Sequence, residues 1–162
     1  MTCFHDSPKF ELDDEYMTPK SAWEDIVDFI PKGKVIWEPF YGNGMSGEYL
    51  TDLGFKVIHE PEDFFQNDKG EIIVSNPPYT KKKEVFQRLK SIDKPFIMLV
   101  PTTTLHTKYF QEVFKDDEIQ LIIPYKKRQF YSEKRELKKG GCSFYTLYIC
   151  YKIDLPKDVV LI

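Results

Sequence analysis

Cysteine is scarce and unpatterned in this chain: Cys3, Cys142 and Cys150 are odd in number and show no metal-ligand spacing. A disulfide-stapled scaffold and a Cys-rich structural zinc site are thereby excluded, and we expect a reduced, intracellular protein that holds no metal. No apolar run approaches the ~20 residues needed to cross a bilayer, so no membrane partner is expected. His5, Asp6, Lys9 and Glu11 interrupt the N-terminal residues, which do not read as a signal peptide. Repeats and low-complexity linkers are missing too. What remains is 162 residues with 41% hydrophobic and 30% charged side chains, the profile of one globular domain with a real core. Residues 1–12 lack a period and read as a loose arm.

Net charge is only −3, but it is unevenly spread. Residues 1–80 hold 6 Lys/Arg against 16 Asp/Glu, whereas residues 81–140 hold 15 against 8. The positive half opens at Lys81, Lys82 and Lys83 and includes Lys126, Lys127 and Arg128, interleaved with Tyr125, Phe130 and Tyr131. Cations alternating with aromatics suit phosphate and base contacts, so these six basic residues are candidate nucleic-acid contacts. The plainer alternative is a solvated basic edge over core aromatics.

Short apolar runs alternate with helical spacings along the chain. Thr18 and Pro19 look like a helix entry, followed by Ala22, Trp23, Ile26, Val27 and Ile30 at helical intervals. Strands are expected at residues 34–38, 55–59, 72–75, 96–101, 119–123 and 143–151, and helices around residues 48–53, 84–89 and 108–114. That alternation implies a mostly parallel α/β sheet. In such sheets ligands gather beyond the carboxyl ends of the strands, where the Gly42 loop, Glu60, Asp63 and Asn76 all fall.

Two stretches carry chemistry. Ile72-Ile73-Val74-Ser75 runs straight into Asn76-Pro77-Pro78-Tyr79. The prolines end the strand, hold Asn76 extended and bring no N–H groups of their own. An amide and bare carbonyls beside a flat ring can accept hydrogen bonds from an exocyclic amino group and stack on its heterocycle. The second stretch is Glu38-Pro39-Phe40-Tyr41-Gly42-Asn43-Gly44, with Gly47 completing a G-x-G-x-x-G spacing. A carboxylate ahead of those glycines would repel a pyrophosphate and attract a cation. The ligand it suits has a positive centre and an amino-acid tail rather than a dinucleotide.

Together the two stretches, with Asn76 lying 32 positions after Gly44, resemble the amino-methyltransferases that use S-adenosylmethionine. Their order is similar to that of unpermuted adenine-N6 DNA methyltransferases, and Asp14-Glu15-Tyr16-Met17-Thr18-Pro19 resembles a segment of the phage and restriction types. The resemblance spans roughly residues 13–151. It implies a Rossmann-like class I methyltransferase domain over residues 1–162, its α/β sheet mostly parallel with an antiparallel C-terminal strand and helices on both faces, and transfer of a methyl group from S-adenosylmethionine to the N6 amino group of adenine. It also implies that Asn76, Pro77, Pro78 and Tyr79 form the catalytic stretch. Glu38, Pro39, Phe40, Gly42 and Gly44 would hold the methionine part, with Tyr16, Thr18 and Pro19 opposite. Glu60 would take the ribose hydroxyls, Asp63 the cofactor's adenine amino group, and Phe64 would stack on that ring. The partner would be DNA or RNA, with the base flipped onto Tyr79 where the substrate is a duplex. The family's separate target-recognition region is missing. This leaves relaxed specificity, a homodimer or a partner subunit as ways to find a target, and a compact viral or phage enzyme is the expected type. RNA adenine, protein glutamine, or a catalytically silent nucleic-acid-binding subunit are the alternatives.

Overall fold

A computed structural model of the chain describes residues 17–131 and 144–162. Its strands are β1 (Val35–Trp37), β2 (Lys56–Ile58), β3 (Ile72–Ser75), β4 (Phe96–Pro101), β5 (Ile119–Ile123), β6 (Thr146–Tyr151) and β7 (Val159–Leu161). Four α-helices separate them among the described residues: α1 (Lys20–Glu24), α2 (Met45–Asp52), α3 (Lys82–Ile92) and α4 (Lys108–Phe114). The strands form one seven-stranded sheet in the order β2-β1-β3-β4-β6-β5-β7. β1, β2, β3 and β4 run parallel, and β6 is antiparallel to both β4 and β5. The parallel strands are what the alternation of elements implies, and the antiparallel β6 makes the sheet the mixed Rossmann-like type that the resemblance implies.

The central strands are uninterrupted apolar runs because both of their faces are covered. Ile36, Ile72, Val74, Ile97, Leu99, Tyr148 and Cys150 point to one side, where they meet Ala22, Trp23, Ile26 and Leu50. Trp37, Ile73, Phe96, Met98, Val100, Leu147 and Ile149 point to the other, where α3 and α4 supply Val85, Phe86, Leu89, Phe110 and Phe114. The second face is aromatic: Phe86 meets Phe96, Phe110 and Phe114 edge to face at ring-centroid distances of 6.2, 5.4 and 5.8 Å.

Two elements differ from expectation. The helix expected from Thr18 to Ile30 is regular only over Lys20–Glu24; beyond it, bonds such as Ile26 N–H to Trp23 O and Phe29 N–H to Ile26 O wind the backbone more tightly. Ala22, Trp23, Ile26 and Ile30 are nonetheless buried, so the apolar stripe does its packing on a turn-rich backbone. β7 adds an edge strand parallel to β5. Its three residues are too few to show a period, and only the apolar run after Pro156 hints at it. No helix among the described residues is long and apolar enough to cross a membrane.

Phe86→Ala should lower the unfolding free energy by about 3–5 kcal/mol, because it opens a void among the three rings of Phe96, Phe110 and Phe114. Urea unfolding followed by tryptophan fluorescence measures this, and a loss below about 1 kcal/mol would show that the aromatic layer is not packed as described.

Candidate active site

β1 continues outward to β2, and the chain then returns to the other side of β1 as β3. The loops leaving β1 and β3 therefore diverge and open a crevice between the two strand ends. The crevice is a cleft of about 340 Å³, within the range of small-molecule sites, lined by residues 38–43 from the first loop and 76–79 from the second. Met17 and Thr18 close one side, and Ser46 and Glu62 complete the wall.

Glu38 leaves β1 buried, only 2% exposed. Its Oε1 accepts from the Phe40 N–H at 3.0 Å and from the Ser75 hydroxyl at the end of β3. Burial raises the carboxyl from its ordinary value near 4.5 to about 8, and the two hydrogen bonds only partly oppose that. In the bare cleft at neutral pH it is mostly a neutral acid, which a bound cation would ionise. The loop then turns at Gly42 and Gly44, both at positive φ, 55° and 82°. Gly44 starts α2, and a Cβ on it would lie 2.9 Å from the Tyr41 ring. The Asn43 side chain accepts from Met45 N–H at 3.1 Å and fixes the turn. Gly47 lies outside the wall; a Cβ there would collide with the His59 imidazole, so this glycine sets how closely α2 packs on the end of β2.

Asn76 follows β3. Its Nδ2 donates to the Thr18 hydroxyl at 2.9 Å, and its Oδ1 is buried with no partner. Thr18 is itself buried and does not cap α1, whose N-cap is Pro19 with no side-chain bond. The helix signal read at Thr18 thus belongs to the site: its oxygen engages one half of the Asn76 amide and leaves the other, a buried acceptor, without a partner on a side chain that lines the cleft. Pro77 and Pro78 line the wall beside it. Tyr79 begins the 3-10 turn Tyr79–Lys81; its ring meets Phe144 edge-on at 5.7 Å, with the Lys82 ammonium 5.6 Å from its centroid.

Of the residues singled out in the sequence, Thr18, Glu38, Pro39, Phe40, Gly42, Asn76, Pro77, Pro78 and Tyr79 converge on this cleft. Tyr16 lies outside the described residues. Six others stand outside its lining: Pro19 is the N-cap of α1 and Gly44 that of α2, and four more lie further off. Glu60 is exposed and paired with Lys69 at 3.3 Å; the backbone turn Glu62 N–H to Glu60 O instead brings Glu62 to the wall, paired with the same lysine at 2.6 Å. Asp63 accepts from Phe65 N–H at 2.9 Å and holds a turn. Phe64 is in the core against Trp37 and Phe40, at 5.6 and 4.9 Å, so its faces are spent on packing. Arg128 is 8% exposed and bonds Ser21, Asp25 and Tyr148; that pairing is what makes its burial tolerable, and it removes Arg128 from the outer surface. Lys81, Lys83 and Lys126 are exposed, Lys82 reaches Thr104 at 3.2 Å, and Lys127 is half-buried. Sequence reasoning missed Met17, Tyr41, Asn43, Ser46 and Glu62. The acidic run at residues 60–63 signalled a carboxylate there but not which one points inward.

No protein-family model and no curated protein matches the chain. Among solved structures it resembles one described as a class I S-adenosylmethionine-dependent methyltransferase from Listeria monocytogenes, with TM-score 0.49 and 16% identity over 92% of this chain and 66% of that one. It also resembles a precorrin-6y C5,15-methyltransferase from Geobacter metallireducens, with TM-score 0.44 and 12% identity over 85% and 93% of the two chains. A third is Trm5 of Methanocaldococcus jannaschii in complex with adenosine, with TM-score 0.45 and 17% identity over 86% and 51%. At these scores the likeness assigns no activity.

Between pH 4.5 and about 8 the folded chain keeps a Glu38 proton that the unfolded chain has released, so stability should fall as pH rises through that window. A cationic ligand binds the ionised form, so its affinity should rise with pH and level off above about 8. Calorimetric titration with S-adenosylhomocysteine, whose ammonium group is the cation, should show proton release near pH 7. Glu38→Gln should remove the release and flatten both pH profiles; an unchanged profile would place the buried acid elsewhere.

Proposed function

We propose that this chain transfers a methyl group from S-adenosylmethionine to the exocyclic N6 amino group of adenine in a nucleic acid, with DNA as the favoured substrate. The observation that carries the reading is the buried, unpartnered Oδ1 of Asn76, on a side chain that lines the cleft, bonds Thr18, and lies three residues ahead of Tyr79 and close to a buried acid. A buried acceptor without a donor is costly, so the site stores a vacancy that an amino group fills.

The residues present fit the cofactor. Glu38 offers a buried carboxyl for the ammonium group, Gly42 a bare backbone, Phe40 and Pro39 apolar walls, and Glu62 a second carboxylate for ribose hydroxyls. When bound, S-adenosylmethionine supplies an electrophilic methyl on a positively charged sulfur. The chain's own work is on the acceptor. An aromatic amine is a poor nucleophile because its lone pair is delocalised into the ring. Asn76 Oδ1 takes one of its hydrogens and the Pro77 carbonyl the other, which bends the nitrogen toward a tetrahedral shape and frees the lone pair. Tyr79 stacks on the base and limits its slide. The nitrogen gains one carbon and releases one proton to water, so no general base is required. Positioning and preorganised acceptors supply the acceleration.

Purified protein given methyl-labelled cofactor should label adenine in DNA. Label found only in RNA adenine or on a protein glutamine would change the substrate, and label in none would leave a silent binding subunit. Asn76→Ala should abolish transfer while S-adenosylhomocysteine binding changes by less than about threefold. Thr18→Val, which frees the amide to rotate, should cut kcat roughly five- to thirtyfold, the cost of one lost hydrogen bond of about 1–2 kcal/mol. Wild-type turnover in Asn76→Ala would refute the mechanism.

A further inference from the structure

Among the described residues, the exposed large apolar side chains include three tyrosines: Tyr41 at 37%, Tyr145 at 57% and Tyr125 at 78%. Tyr41 belongs to the cleft. The other two stand past the ends of paired strands. Ile122 pairs with Tyr148, and Tyr125 and Tyr145 each lie three residues beyond that pair, toward the same sheet edge. Pro101, at the carboxyl end of β4, pairs with Thr146, and Thr102 N–H donates to Tyr145 O at 2.9 Å. The two tyrosines therefore sit on the edge that carries the cleft. At about 4.8 Å per strand, β6 is roughly 10 Å and β5 roughly 14 Å from β3.

Each ring has its own ammonium group. Lys127 Nζ lies 5.4 Å from the Tyr145 centroid and Lys126 Nζ 5.3 Å from that of Tyr125. The segment that presents them is anchored from behind. Arg128 and Phe130 turn inward, and Met17 and Tyr131 exchange backbone hydrogen bonds at 2.7 and 3.3 Å. Contact with the site is continuous, because Phe144, the residue before Tyr145, meets the ring of Tyr79.

We propose that this edge is a track for an unpaired nucleic-acid strand, on which bases flanking the target stack on Tyr145 and Tyr125 while Lys126 and Lys127 contact phosphates. The inference rests on the nucleic-acid reading above and narrows it to single-stranded substrate. A ring plus a cation, repeated along one edge, matches a base plus a phosphate, repeated along one strand. A duplex hides its base faces in the stack, so exposed rings gain little from it. Exposed Lys81, just after Tyr79, and Lys126 and Lys127 beside the two rings give the edge the sign a polyanion needs.

The test is equilibrium binding of the full chain, without cofactor, to one labelled adenine-containing oligonucleotide offered as single-stranded DNA, single-stranded RNA and duplex DNA at matched salt. Single strands should bind at least about tenfold tighter than duplex. Tyr125→Ala and Tyr145→Ala should each weaken single-strand binding about fivefold or more, with duplex binding unchanged and thermal melts like wild type. Lys127→Gln should lower the slope of log affinity against log salt by about 0.7. Equal or tighter duplex binding, or tyrosine variants that bind single strands like wild type, would overturn the proposal. So would wild-type self-association lost in Tyr125→Ala, which would make this edge an interface between copies. Tyrosine-dependent strand binding without methyl transfer would sink the enzymatic reading alone, and methylation confined to duplex would sink this one alone.

Discussion

The hydrogen bond from Ser75 to the buried carboxyl of Glu38 joins the two strand ends between which the cleft opens. At that point the sheet changes direction of growth, with β2 on one side of β1 and β3 on the other. The two departing loops would splay freely without a tie. Ser75 is fully buried and Glu38 nearly so, and the bond holds the loops in register where they begin. The same burial that makes the tie firm raises the carboxyl toward neutrality. The cleft therefore waits with an acid rather than a charge, and a cation entering it completes an ion pair that water cannot screen well.

A second tie crosses 58 residues, from Asn76 to Thr18. It connects the Asn76–Tyr79 stretch to the segment before α1 and gives up a helix cap to do so. A helix of five residues without a side-chain cap is weak by itself. Packing compensates, because Ala22 and Trp23 are completely buried and the Trp23 indole donates to Ser46 on α2. Arg128 adds to the same support: its guanidinium binds Ser21, Asp25 and the hydroxyl of Tyr148, which in turn donates to the Ala22 carbonyl. A residue expected on the outside thus braces the element that carries Thr18, and it leaves the outward-facing part of its segment to Tyr125, Lys126 and Lys127.

The strands were legible because a parallel sheet covered on both faces needs unbroken apolar runs, and prolines mark the ends of two of them. Ile72 through Ser75 and Phe96 through Pro101 were bounded almost to the residue. Their order made the crevice legible as well, since loops after parallel strands share one edge. Legibility failed where a side chain had two equivalent uses. Glu60 and Glu62 are alike in sequence, and a turn of the backbone between them decides which one reaches the wall. Phe64 could have stacked on a ligand, but the core on its side of the sheet needed a ring. Asp63 was taken by a local turn. Each case was settled by competition with neighbours that come from distant parts of the chain.

By itself, the sequence determined the type of sheet, the edge on which chemistry gathers, and the pairing of an acid-and-glycine loop with an amide held among prolines. These depend on local pattern: apolar runs, glycines that permit positive φ, and prolines that end strands. Only the tertiary structure decided how the site's atoms are engaged. The vacant oxygen of Asn76 exists because Thr18 engages the other half of the amide, and the raised pKa of Glu38 exists because packed strands exclude water from it. Both are properties of contacts between segments far apart in sequence, which local pattern does not encode.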